Sequence, residues 1–172
     1  MTAVETVFAW IEQTPLSDWI TGPSMLGFPT ILSAHTLGMA FLAGTNAGMD
    51  LRLLGVADRV PLTALEKFYP VMWLALAVNF ASGTLLFIGY PYKAATNPVF
   101  YLKLALIAVA LYLAVRIRRD VLRAPDPGAP VTQRRAQRLA ILSLVCWAGV
   151  ITAGRLLAYT YSWLRVGIPN NF

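Results

Sequence analysis

Three side chains in this sequence have chemistry that an apolar surrounding would sharpen: His35, Lys103 and Arg155. Each stands inside a run of apolar residues, where an ionisable group is costly and marks a site by default. A neutral imidazole is a ligand for iron or copper. A lysine and an arginine near it would pair with carboxylates or another anion. Gly83, at a similar depth in its own apolar run, would let a flat ring lie against a helix. The set points first to haem b, with His35 as axial ligand, Lys103 and Arg155 on the propionates and Gly83 against the macrocycle. The chain has one histidine, so the second axial ligand would be a methionine, the His35 of a second copy, or none.

Two other chemistries use the same residues. His35 and Met39 are four apart and share a helix face, and imidazole with thioether suits Cu(I). A quinone or another anionic head group would be held by Arg155 and Lys103. Against all three stands a structural role. A lone histidine in a bundle can simply hydrogen-bond the next helix, and a lysine or arginine near a membrane surface can snorkel to it. Asp50 and Arg52 are expected to form a local ion pair. No carboxylate pair, serine–histidine arrangement or nucleotide loop is evident, so no catalytic residue is assigned. Cys146 is single and lies in an apolar run, which makes it a small core residue with no disulfide partner in the chain.

These side chains need long helices to hold them. Apolar residues make up 58% of the 172 and charged residues 13%, with a mean hydropathy of +0.61. That is about half the charge a soluble domain uses to cover its surface, so the apolar excess is expected to face lipid. The expected fold is all-α: an integral membrane four-helix bundle with a short N-terminal interfacial helix, in a single domain over 1–172. Spans are expected at about 28–49, 68–90, 98–115 and 139–159, each near the roughly 20 residues that cross a bilayer core. The segment 2–13 repeats Val4, Val7, Phe8 and Ile11 on one helical face, with Thr2 and Glu5 at capping-box spacing. It is too short to span and is expected to lie in the outer interface, anchored by Trp10 and Trp19. Tyr90, Tyr92, Tyr159, Tyr161 and Trp163 are expected to belong to interfacial aromatic belts.

Charge placement gives an orientation. The net charge is +6, yet no Lys or Arg precedes Arg52, and seven arginines fall between Arg116 and Arg138. Arg52, Arg59 and Lys67 join the first two spans, and the seven arginines join the last two, while Lys93 alone separates the second from the third. Both basic loops are therefore expected in the cytoplasm, with both termini periplasmic. Met1 to Phe28 lacks the basic start of a signal peptide, so insertion is expected through the mature helices. Basic residues that bracket apolar runs do not make a nucleic-acid surface, and the arginines are expected to touch anionic lipid instead. Small-residue stripes (Ala40, Gly44, Gly48; Ala75, Asn79, Gly83; Gly149, Ala153) are expected to form the helix contacts, Gly44 and Gly48 alternatively a homodimer seam.

The run SAHTLGMAFLAGTNAGMDLRLLG, with His35, Gly38, Gly44 and Asp50 to Gly55, resembles the first span of a bacterial four-helix inner-membrane family of unknown function. SGTLLFIGYPYKAATNPVFYLKLALI, with Gly83, Asn97, Pro98 and Lys103, is similar to its second and third spans, and WAGVITAGRLLAY, with Gly154, Arg155 and Tyr159, to its fourth. The family is loosely similar to copper-resistance-D-like and cytochrome-b-like membrane domains. The resemblance implies the fold and the inner membrane and singles out His35, Lys103 and Arg155, without supplying an activity. Three functions follow as expectations. The first is a small inner-membrane haem b protein serving electron transfer, the second a copper-handling protein using His35 and Met39, the third a cofactor-free subunit of a larger membrane complex.

Overall fold

The computed structural model describes residues 3–56, 58–126 and 129–163, and every element among them is a helix. Four of the helices are long. Of these, α3 (Phe28–Leu53) packs against α5 (Phe68–Gly89) and α8 (Pro130–Trp163), and α7 (Pro98–Ile117) packs against α8. Short helices fill the ends: α1 (Ala3–Glu12) and α2 (Pro15–Thr21) before α3, α4 (Leu62–Leu65) before α5, and α6 (Pro91–Ala95) between α5 and α7. A π-helical turn, Arg118–Leu122, ends α7.

Local chemistry sets the boundaries. Pro29 and Pro98 sit at the first helical positions of α3 and α7, where a missing N–H costs nothing. Asn97 caps α7 by accepting the Val99 N–H at 3.0 Å, and its amide donates to Thr160 Oγ1 at 2.9 Å, tying α7 to α8. At the far end of α3, Gly55 takes φ 91°. Its N–H bonds Arg52 O and the Val56 N–H bonds Leu51 O, both at 3.1 Å, the pairing that closes a helix through a left-handed residue. Thr2 of the expected capping box lies outside the described residues, as do the side chains of Tyr161 and Trp163.

Apolar surface is in excess. The stretches Leu62–Gly89, Pro98–Leu122 and Pro130–Thr160 are long and apolar enough to cross a membrane, yet only 22%, 17% and 28% of their most apolar windows are buried within the chain. The remainder faces outward, including Leu74, Phe80, Val109, Tyr112 and Val145. Helix α3 is not among these three, and several of its polar side chains face its neighbours. Asn46 and Asp50 on α3, with Ser143 on α8, are buried. On α1, Phe8 turns inward to Phe87 and Tyr92, whereas Val4, Val7 and Trp10 are exposed.

The expected small-residue contacts hold on α5 and α8. Ala75, Asn79 and Ala153 are buried, and Gly149 faces Leu106. On α3 the expectation fails. A side chain at Gly44 or Gly48 would meet nothing within 4 Å, and Gly38 takes the contact instead. A Cβ there would lie 3.2 Å from Asn79 N and 3.4 Å from Ala75 O, so the α3–α5 backbones approach as closely as glycine allows.

The arginine-rich end closes through a second network. Glu66 receives Arg118 at 2.8 Å and Arg123 at 3.1 Å, and the Arg118 guanidinium lies 4.8 Å above the Tyr69 ring. Tyr69 is buried and donates its hydroxyl to Ala114 O at 2.9 Å. Tyr69→Phe, which keeps the ring under Arg118 and leaves Ala114 O with only the Arg118 backbone N–H, is expected to cost about 1 kcal/mol. A lowered thermal midpoint in detergent, with an unchanged helical spectrum, would register it.

Candidate functional site

His35 opens the third turn of α3, whose rotation the sequence cannot set by itself; two groups on α5 do so. Nδ1 of His35 lies 3.1 Å from Asn79 O and 3.1 Å from Ser82 Oγ. A carbonyl only accepts, so Nδ1 carries the hydrogen. Ser82 spends its own hydroxyl hydrogen on Val78 O at 2.7 Å and can accept from the imidazole as well. In return Asn79 donates its amide to His35 O at 2.8 Å. These reciprocal bonds fix the rotation of α3 against α5 and the orientation of the ring.

The other nitrogen, Nε2, points to α7. Lys103 Nζ is 3.4 Å away. An ammonium only donates, so Nε2 keeps its lone pair, and the tautomer follows from the partners on each side. Lys103 is half-buried, and its stem runs along α8, 3.8 Å from where a side chain at Gly154 would begin. Gly83 seats the ring on the third side. A Cβ at that position would stand 3.1 Å from His35 Cε1 and 3.5 Å from Nδ1.

The imidazole, Gly83 and Lys103 line one cleft of about 670 Å³. Its walls are apolar and aromatic, among them Phe28, Leu76, Phe80, Phe87 and Phe100, and Lys93 lines it as well. It lies between α5 and α7, which the Tyr69–Ala114 hydrogen bond joins at the end far from α6. Phe87 and Phe100 stack across it at 5.8 Å between ring centroids.

The other expected site residues lie apart. Arg155 stands at the expected depth on α8, but it is exposed and does not line the cleft. The residue before it, Gly154, is the one that faces Lys103, and the next residue turns about 100° away around a helix of 3.6 residues per turn. Met39 packs against the core cluster and is not a lining residue, so no thioether stands beside the imidazole in the cleft. Among the described residues, no three His, Cys, Asp or Glu side chains converge as a metal-ligand group.

Asp50 corrects an expectation. It forms no ion pair with Arg52, which instead donates to Val60 O. The carboxyl turns into the α3–α8 interface beside Ser143, and Asp50 Oδ2, Ser143 Oγ and Trp147 Nε1 are all buried there. The spacing Asn46/Asp50 and Ser143/Trp147, four apart on both helices, was the available signal. Asn79 and Ser82, which orient His35, carried a similar one: polar residues on the same side of α5 as Gly83.

The fold and the cleft define a class: an all-helical protein with three helices able to cross a membrane, built around a histidine–lysine pair in an apolar cleft. Comparison with models of protein families, with curated proteins and with solved structures finds no match to this chain. Its functional reading therefore rests on its own residues.

Proposed function

We propose that this chain is a multi-pass protein of the bacterial inner membrane that binds haem b in the His35 cleft and serves electron transfer. In this reading α3, α5, α7 and α8 are the spans of a four-helix bundle. Helices α1 and α2 lie in the outer interface, and the arginine-rich loop is cytoplasmic, with both termini outside. The low burial of the apolar windows supports insertion, and the arginines gathered at the end opposite His35 support the orientation.

The observation that carries the haem reading is the orientation of His35. Its Nδ1–H is committed to a backbone carbonyl of α5, which leaves Nε2 as the ligating nitrogen facing an apolar cleft. A ligating histidine almost always donates its other nitrogen this way, which fixes the tautomer and raises the ligand's basicity. The cleft volume falls within the roughly 300–1,000 Å³ of ligand pockets. Lys103 and Lys93 are the cations that line it and would hold carboxylates; Arg155 would not. Lys103 now donates to Nε2, and a carboxylate on the ligand would draw it off and free that lone pair. When bound, the haem supplies one-electron chemistry. The chain's own residues hold it, orient the imidazole and exclude water.

A second reading is favoured by the Lys103–His35 pair itself. A cationic donor in an apolar cleft also suits a quinone, or another lipophilic molecule with a carbonyl or anionic head. Copper has less support, because Met39 is not in the cleft. The test is expression with ample haem, purification in mild detergent, and a visible spectrum with metal analysis and solvent extraction of one sample. Haem b at about one per chain is the expected result. An extracted quinone without iron would replace it with the second reading. Copper without a Soret band would restore the His35–Met39 proposal, and an empty protein would leave a structural subunit.

A further inference from the structure

The ion-pair network leaves several arginines unused. Arg118 and Arg123 bind Glu66, and Arg116 and Arg119 face Asp120. Arg134, Arg135 and Arg138, in the first turns of α8, have no carboxylate partner among the described residues. Together with Arg116 at the end of α7, these three line a recess of about 490 Å³ whose remaining wall is Val131 and Leu139. Like charges four apart on a helix repel, as Arg134 and Arg138 do, and the recess adds Arg135 beside the Asp120-paired Arg116. Such a cluster is favourable when an anion bridges it. Guanidinium forks match phosphate oxygens in pairs.

The surface beside the recess says which phosphate. From it, α7 and α8 present an exposed apolar band: Val109, Tyr112 and Val115 on one helix, Ile141, Leu142 and Val145 on the other. A soluble phosphate has no use for that band, whereas acyl chains would cover it. Basic recesses between membrane helices on the cytoplasmic side are the known geometry for anionic head groups. We propose that Arg116, Arg134, Arg135 and Arg138 form a binding site for an anionic phospholipid carrying two phosphates, at the end of the molecule opposite His35. The proposal rests on the membrane reading above but not on the identity of the ligand in the cleft.

Orientation by positive charge alone would also put arginines here, and the test separates the two. Purified full-length protein in mild detergent is titrated with cardiolipin, phosphatidylglycerol or inorganic pyrophosphate, read by native mass spectrometry and thermal midpoint. One cardiolipin per chain is expected, bound at least about tenfold more tightly than phosphatidylglycerol. Arg134→Lys/Arg135→Lys/Arg138→Lys keeps the charge and insertion but loses the forks, and should weaken cardiolipin several-fold. The corresponding Gln variant should abolish it. Equal binding of both lipids, or undiminished binding by the Lys variant, overturns the site and leaves orientation charge only. Pyrophosphate bound as tightly as cardiolipin overturns the lipid as its occupant. The visible spectrum should not change in any arm, so failure here is distinct from failure of the haem reading.

Discussion

Gly38→Leu is expected to be the most damaging single substitution in the chain. The added side chain has no room: its first carbon would already press on the backbone of α5, 3.2 Å from Asn79 N. A flexible side chain could move aside, but a helix backbone cannot without the whole helix shifting. Overpacking of this kind costs about 1–3 kcal/mol, and here it adds the loss of the His35–Asn79 hydrogen bonds at about 1 kcal/mol each. The expected result is protein that aggregates on extraction or melts well below wild type. Gly44→Leu is the control on the same helix. It faces open space and should fall within about 0.5 kcal/mol of wild type. If Gly44→Leu proves the worse of the two, α3 turns Gly44 and not Gly38 toward α5.

Gly83→Val should empty the cleft without unfolding the protein. Its branched carbons would occupy the seat of the His35 ring, where Cε1 stands 3.1 Å from even a bare Cβ. The imidazole would swing away from Asn79 O, and Nε2 would no longer be directed by α5. Loss of bound haem as complete as in His35→Ala is expected, with the thermal midpoint lowered less than in Gly38→Leu, because the displaced atoms are a side chain and not the backbone of a helix. Gly83→Ala, a contact that a few tenths of an ångström relieve, should weaken binding by about tenfold, the effect of 1.4 kcal/mol. Wild-type haem content in Gly83→Val would mean that the ligand does not use the imidazole in this seat.

The helices themselves were legible because their signals are local. Prolines at 29 and 98 begin α3 and α7, and apolar runs of spanning length mark where α5, α7 and α8 lie. Depth along each helix was legible too, since it needs only the rise per residue, and His35, Gly83 and Lys103 do line one cleft. Rotation about each axis was not. Gly38 and the Gly44/Gly48 stripe lie on different faces of α3, and composition does not say which face meets α5. The Asn79–His35 bonds between residues 44 apart decide it. The same ignorance of rotation placed Arg155 with Lys103 and Met39 with His35, when Gly154 and the core take those directions. It also hid the buried face of Asp50, whose neighbour in sequence, Arg52, suggested a pairing that the helix turns apart. The Glu66–Arg118–Arg123 network depends on a π-helical turn that no residue pattern announces.

The central claim is that a single imidazole, aimed by α5, is the ligating group of the cleft. Titrating haem into purified wild-type and His35→Ala protein, followed by the Soret band, tests it most directly. A sharp band saturating at about one haem per chain in wild type, and absent from His35→Ala, is the predicted result. Equal saturation of both proteins, with the same band position, would contradict it.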